Sequence, residues 1–480
     1  MRRILPLGIA ASLAATGGAA AVALADADRR HRVERQLRVW RLTARRGTSF
    51  AVMRLRRRGK SEEERARLDE QFAIRTAEDV AKVLGGMKGA IMKAGQMLSF
   101  IAEGLPPEAQ AALATLQADV PPMSPTLAEG VIRSELGADP DRLFLDWDPV
   151  PVAAASIGQV HRAVMPDGRV VAVKVQYPGV DKAIKSDLDN AEMMYGLFAS
   201  FALKNMDVKG LVDELRERMG DELDYHHEAA CQADFAARYE GHPFIRIPKV
   251  VPERSSRRVL TSEWVDGMRW ADFLETATQE TKDRAGEVLM RFAQGSIHRD
   301  GVFNGDPHPG NYRFHEDGSV TFLDFGLVKR WSPGEFERLG PVLDAILDAD
   351  ADRAVAAAVA AGFLPADHGM DPAFVFEYMR GPYEPFSTDH FTYTPSWTAT
   401  ALQTVIDMQG RYGEVIRQLN MPTSYVILDR VVWGMSALLG RLEATNDWRG
   451  LLREYRKGTP PTTELGRAEA AWQSSVRTRR

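Results

Sequence analysis

The chain is expected to adopt an α+β fold, with a small strand-rich part that carries added N-terminal helices and a large helical part after it. Three observations predict this. Residues 151–176 read as short strands, with Val170-Val171-Ala172-Val173-Lys174-Val175 following the turn residues Pro166-Asp167-Gly168. Helical patterning dominates from Pro333 to about Tyr455. The 480 residues, 45% hydrophobic and 26% charged, are enough for a normal packed core of that size.

Composition narrows the function classes. A net charge of -5 gives no global sign of nucleic-acid binding, and no nucleic-acid partner is expected. Cys231 is the single cysteine, which excludes a disulfide within the chain and a thiolate-rich metal site. That fits a reducing compartment.

From the N-terminus, residues 1–28 form an apolar segment. Ile4 to Ala25 carry no charge, and Arg2 and Arg3 precede them. A span of that length crosses a bilayer, which needs about 20 apolar residues. A cleaved signal peptide ending near Ala23 or Ala25 and a merely apolar soluble helix are the competing readings. The arginines that follow, from Arg29 and Arg30 to Arg45 and Arg46, favour an anchor, because positive flanks stay in the cytoplasm. The main body is therefore expected at the cytoplasmic face of a membrane. The basic helical region, 29–74, either holds anionic lipid headgroups or is a solvated face.

An N-terminal helical extension occupies 75–150, within a helical pattern from about Ser61 to Gln117. Prolines 121, 122 and 125 break it, and a short helix over Leu127–Leu136 ends at Gly137. The strand-rich part, 151–265, includes a helical insertion, with helix expected over Lys182–Phe201 and Val208–Tyr239, then a strand at Arg258–Thr261. The helical part is 266–456, with a strand at Val320–Leu323. Residues 457–480, with Pro460-Pro461 and scattered charge, read as a flexible tail.

The chemistry-bearing residues lie in two clusters. Asn304-Gly305-Asp306-Pro307-His308-Pro309-Gly310-Asn311 precedes Leu323-Asp324-Phe325-Gly326. Phosphoryl transfer needs one carboxylate to orient or deprotonate the acceptor, and a second carboxylate plus an amide oxygen to hold magnesium on the phosphates. Protein kinases place the first Asp five residues before an Asn, with a DFG triplet downstream. Asp306, Asn311 and Asp324 fit those three roles. His298-Arg299-Asp300 spells the kinase HRD triplet, but Gly305 stands five residues beyond it and offers no metal ligand. Asp300 is therefore assigned to structure or surface.

The second cluster is Val171-Ala172-Val173-Lys174, a strand whose lysine reaches nucleotide phosphates when an acid pins it. Ala153, Ala154, Ala155, Ser156 and Gly158 occupy the place of a glycine-rich loop ahead of it. Alanine keeps its N–H for phosphate contact but resists positive φ, so this loop must turn differently. Glu222 and Glu228 are both candidates for the acid. Six residues apart, they do not share a helix face and have different jobs. His226 and His227 lie beside these carboxylates, but adjacent helical residues point apart, which favours surface histidines over a metal site.

With these residues in hand, the chain resembles the UbiB (AarF, ADCK) family of atypical kinase-like proteins, over roughly Val80 to Arg330. Lys93-Ala94-Gly95-Gln96 is similar to its KxGQ motif, Ala153–His161 to its alanine-rich loop, and Glu222-Leu223-Asp224 to its ExD motif. Gln176-Tyr177-Pro178-Gly179-Val180 fits as well. The resemblance implies a bilobal protein-kinase-like fold that binds ATP or ADP with Mg2+. It implies that Lys174 and Glu228 form the ion pair that seats the nucleotide, and that Glu263, with Val265, begins the hinge that reads adenine. It also implies that Lys93 and Gln96, as regulatory residues, lie on a helix over the active site near Glu222 and Asp224.

No Ala-Pro-Glu triplet follows Gly326, and Lys329-Arg330-Trp331 leads quickly to a helix start at Ser332-Pro333-Gly334. The segment that docks peptides in protein kinases is cut short. The expected activity is therefore an ATPase or a small-molecule or lipid kinase at a membrane, and the family resemblance implies that it supports isoprenoid quinone metabolism. A membrane lipid or lipid-like substrate and quinone-biosynthesis proteins are the expected partners. A protein kinase and a nucleotide-binding regulatory scaffold are the alternatives.

Overall fold

A computed structural model describes residues 123–181 and 223–479, except 156, 408, 409, 421, 423 and 424, together with the isolated positions 64 and 220. Lys93, Gln96, Ser156, Glu222 and the apolar segment 4–25 lie outside the described residues, as do the helices expected over 61–117 and 182–201. Among the described residues no helix is long and apolar enough to cross a membrane.

Helix α1 (Pro125–Leu136) starts with proline in its first turn and stops at Gly137, whose φ of 78° favours glycine. Its buried Ala128, Val131 and Ile132 recur at helical spacing. A short helix α2 (Pro140–Leu143) leads into a sheet of β1 (Asp146–Trp147), β2 (Ala153–Ala155), β3 (Gly158–Val164) and β4 (Val170–Gln176). β6, described below, completes it. Side chains alternate across a strand, and β4 uses both faces. Val171, Val173 and Val175 are fully buried in a cluster with Val131 and Ile132 of α1. Ala172 and Lys174 face the opposite way, into a cavity.

Helix α3 (Tyr225–Arg238) is capped by Asp224, whose Oδ1 accepts from the His226 N–H at 2.9 Å. Tyr225, Glu228, Cys231, Gln232 and Phe235 form its one buried stripe. His226 and His227 are exposed. β5 (Ile245–Arg246) follows, and β6 (Val259–Glu263) then closes the antiparallel order β1-β3-β4-β6. Lys174 sits opposite Val160 on one side and Leu260 on the other.

Helices α4 (Trp270–Thr276) and α5 (Gln279–Gln294) lead through a π-helical turn, Gly295–Asp300, into β7 (Val302–Asn304). Two more strands, β8 (Tyr312–Phe314) and β9 (Val320–Phe322), pair antiparallel, and β5 pairs parallel with β9. β10 (Val328–Arg330) pairs with β7. These ribbons fix two loops side by side: 305–311 runs from β7 to β8, and 323–327 runs from β9 to β10.

The remainder is helical: α6 (Glu335–Leu347), α7 (Ala351–Ala360), α8 (Pro372–Arg380), α9 (Pro395–Ile406), α10 (Gly413–Gln418), α11 (Val426–Leu442) and α12 (Trp448–Lys457). Val288, Leu289 and Phe292 of α5 and Leu438, Leu439 and Leu442 of α11 lie in one large core cluster.

One sequence expectation is corrected. The segment from Lys457 is not a loose tail but carries helix α13 (Glu464–Arg479). Leu465 and Glu469 are buried, and Glu469 accepts hydrogen bonds from Arg291 at 3.2 Å, Arg299 at 2.7 Å and the Tyr455 hydroxyl at 2.6 Å. Its Ala, Glu, Gln and Arg content favours a helix, and the long-range ion pairing ties that helix to the rest of the protein.

Candidate active site

A cavity of about 480 Å3 lies between the sheet and the two loops, a volume typical of small-molecule sites. Ala153, Ala154 and Ala155 form one wall, and Glu263 and Val265 border it after β6. Lys174, Glu228, Asp306, Asn311 and Asp324 all line it. Five side chains scattered over 151 positions of sequence therefore converge on one space.

The lysine is the centre of the charge arrangement. Lys174 Nζ donates to Glu228 Oε1 at 2.8 Å and Oε2 at 2.9 Å, and to Asp324 Oδ2 at 3.3 Å. Burial pulls the ammonium pKa down, but the charges of Asp324 and Glu228 outweigh it and hold Lys174 well above the ordinary lysine value. Glu228 reaches this position because it lies on the buried stripe of α3. Two turns further on, Phe235 contacts Phe325 of the DFG triplet, with ring centroids 4.9 Å apart. Phe325 is fully buried, so the same helix face that presents the acid also packs the DFG loop.

The catalytic-loop pair is equally tied. Asn311 Nδ2 donates to the Asp306 backbone O at 3.1 Å and to its Oδ2 at 3.2 Å. That leaves the amide oxygen of Asn311 for a cation. Asp324 Oδ1 accepts from the Gly326 N–H at 3.0 Å. One carboxylate and one amide oxygen are hard donors of the kind magnesium takes together with phosphate and water, so the donor set fits that ion.

The alanine loop is a hairpin rather than a glycine turn. Ala153, Ala154 and Ala155 pair with Val160, Gln159 and Gly158. Gly158 does not line the cavity. A Cβ there would lie 2.2 Å from the Val175 carbonyl oxygen, so its glycine serves the close approach of β3 to β4. Asp224 caps α3 and also lies away from the cavity. Asp300 accepts from Arg299 Nε at 2.8 Å and Nη2 at 3.0 Å, in the ion-pair network under α13.

Residues 115–358 match the ABC1 atypical kinase-like domain. The chain belongs to this family, whose members also carry the names UbiB, AarF and ADCK. It is 35% identical over 268 residues to a chloroplastic aarF domain-containing protein kinase of Arabidopsis thaliana, covering 56% of this chain and 38% of that one. It is 34% identical over 270 residues to the chloroplastic protein ACTIVITY OF BC1 COMPLEX KINASE 1 of the same plant, covering 54% and 39%. It spans 52% of an uncharacterized Synechocystis relative at 32% identity. A solved Mycobacterium tuberculosis structure, described as the complex of Rv3197 with erythromycin, is 33% identical with a TM-score of 0.61, covering 82% of this chain and 98% of that chain. This ABC1 chain thus shares a kinase-like domain of helices and small antiparallel sheets with its relatives.

Two residues at the ABC1 site went unread in the sequence. Asn304 donates from Nδ2 to the Asp324 backbone O at 2.6 Å and accepts the Asp306 N–H at 2.9 Å, joining the two loops. Its place at the head of the Asp306 motif was the available clue. Arg430 on α11 donates through Nη2 to Asp306 Oδ1. It lies 124 positions away in no recognisable motif.

Proposed function

We propose that the chain binds ATP with magnesium in this cavity and transfers or hydrolyses the γ-phosphoryl group. The observation that carries this is the convergence of Lys174, Glu228, Asp306, Asn311 and Asp324 on one cavity. In this reading the small hydrophobic cluster, which joins α1 to β3, β4 and β6, marks one lobe, and the large cluster, which takes in Phe235 of α3 and Ile245 of β5 as well as the later helices and Leu465 of α13, marks the other. Lys174, pinned by Glu228, contacts the α- and β-phosphates. The Ala153–Ala155 strand covers them, and Gly158 lets its hairpin partner β3 approach β4 closely. Glu263 and Val265 read adenine through the backbone. Asp324 and Asn311 hold magnesium, which when bound neutralises charge on the β- and γ-phosphates. Asp306 orients the acceptor hydroxyl or water. Lys93 and Gln96, on the N-terminal extension, act as regulatory residues together with Glu222 and Asp224.

The acceptor is a small molecule, a lipid-like molecule or water. β10 pairs straight back onto β7, and α6 starts at Glu335, so only residues 327–334 separate the DFG triplet from the next helix. That leaves little chain for peptide docking. The family resemblance supports a role in isoprenoid quinone metabolism, with residues 4–25 holding the protein at the cytoplasmic face of a membrane. Purified full chain should release phosphate from MgATP, faster with vesicles containing anionic or prenyl lipid, and Asp324→Asn should abolish release. Label transferred to protein, and lost in Asp306→Asn, would instead identify a protein kinase. Nucleotide binding without turnover would identify a scaffold.

A further inference from the structure

Helix α11 lays one face along the loop that carries Asp306. Positions 427, 430 and 434 recur at three and four residues and so share that face. A Cβ built on Gly305 would lie 2.5 Å from Ile427 Cγ2, and one built on Gly434 would collide with Pro307 Cγ. Between them Arg430 donates to Asp306 Oδ1. Residues 305, 306 and 307 therefore meet successive positions of a single helix. Both glycines are needed for so close an approach, because any side chain at either one would push helix and loop apart.

The contact is sheltered. The side chains of Arg430 and Asp306 are 15% and 10% exposed. Arg430 Nη1 is buried and makes no hydrogen bond among the described residues. An unpaired buried donor costs stability, so the guanidinium is not placed for satisfaction of its own donors. Asp306 is its ion-pair partner. The other carboxylate oxygen, Oδ2, accepts from the Asn311 amide at 3.2 Å. An ionised carboxylate has about four acceptor positions. Arg430 and Asn311 occupy one on each oxygen and so fix the plane of the group.

We propose that Arg430 is a positioning residue for phosphoryl transfer: it orients the Asp306 carboxylate toward the acceptor, with α11 as the rigid mount. This rests on the ATP-dependent reading given above. The ion pair acts on the acceptor side of the site, whereas Lys174 acts on the nucleotide side. Loss of Arg430 should therefore separate turnover from nucleotide binding.

The test uses full-length Arg430→Ala and Arg430→Lys. In the alanine variant kcat for phosphate release should fall about 10²-fold, the scale of a 1 Å misplacement, while KM for MgATP stays within about threefold. Added guanidinium should recover part of kcat in the alanine variant, and lysine should retain part of it. Backbone amides of residues 305–311 should exchange hydrogen faster in the alanine variant than in the parent. Unchanged kcat, or kcat and nucleotide affinity falling together without guanidinium rescue, overturns the proposal. Should the alanine variant fail to fold, the lysine variant and Arg430→Gln carry the same comparison. Should the parent chain show no turnover, the ATP-dependent reading fails and this proposal with it; should the parent turn over ATP while the alanine variant loses kcat without faster exchange in the loop, the positioning role alone fails.

Discussion

Two clusters each set a cation among carboxylates and are finished differently. In the cleft, Lys174 faces Glu228 and Asp324, one positive charge against two negative, beside a cavity of about 480 Å3. Beneath α5, Arg291 is 1% exposed and donates to Glu287 at 2.7 Å, Glu454 at 2.8 Å and Glu469 at 3.2 Å. There the remaining carboxylate oxygens are taken up by the protein itself, with Arg299 as a second cation at 2.7 Å from Glu469 and neutral donors beside it. Asn446 donates to Glu287 at 2.9 Å and Tyr455 to Glu469 at 2.6 Å. The lower cluster is closed and ties α5, α12 and α13 together. The upper one keeps excess negative charge open to a cavity, which is what a cation-bound polyphosphate requires.

If that contrast is right, matched substitutions have opposite signatures. Lys174→Met should lower MgATP affinity or turnover by at least about 10²-fold, the scale for removing a preorganised electrostatic contact. Its melting temperature should fall less than that of Arg291→Met, because Glu228 and Asp324 border a cavity that admits water, checked by calorimetry. Arg291→Met should do the reverse. Removing one partner of a buried ion network costs about 3–5 kcal/mol, read as a lower denaturant midpoint, while MgATP affinity of the folded fraction is unchanged. Loss of nucleotide affinity in Arg291→Met without loss of stability would break the comparison.

The closed cluster should also respond to acid. Burial pushes His242 down to about 3, with Arg299 and Arg291 adding to the effect, and burial together with Arg456 does the same for His298. His242 Nε2 lies 4.0 Å from Glu469 Oε1, and Trp472 stands edge-on to the ring at 4.5 Å. Both histidines are neutral when folded but accept a proton near pH 6.5 when unfolded. Between about pH 6.5 and 3 the unfolded chain binds more protons, so stability falls as pH drops through that window. The loss is at most about 1.4 kcal/mol per pH unit for each histidine. Equilibrium unfolding at several pH values should show a shallower dependence in His242→Gln.

The smallest effect is expected at the rim. Trp472 stacks on Tyr239 with centroids 6.2 Å apart, and its Nε1 donates to the Glu240 backbone O at 3.1 Å. Trp472→Ala should cost about 1–2 kcal/mol, less than Arg291→Met. A larger loss would move the lock from the ion network to the aromatic contact.

Legibility in the sequence followed distance along the chain. Asp306, Asn311 and Asp324 are fixed by short spacings, and the alternation of β4 places Lys174 on the face opposite its valines. Glu228 needed the family resemblance, because the lysine and its acid are 54 residues apart and nothing local links them. Arg430 stayed invisible for the same reason at 124 residues. The tail reading at α13 gives weight to Pro460-Pro461 and scattered charge over an Ala- and Glu-rich run, and the tie from Arg291 to Glu469 spans 178 positions that no local pattern reports. β5, β7 and β10 have two or three residues each, too few for a period to register.

The central claim is that the open cluster holds a nucleotide through a cation. Calorimetric titration of the full chain with ATP, with and without magnesium, in the parent and in Asp324→Asn, tests it most directly. One ATP should bind per chain, tighter with magnesium in the parent, and that magnesium dependence should be lost in Asp324→Asn. A folded parent chain that binds no ATP, or an Asp324→Asn variant with the parent's full magnesium dependence, would contradict it.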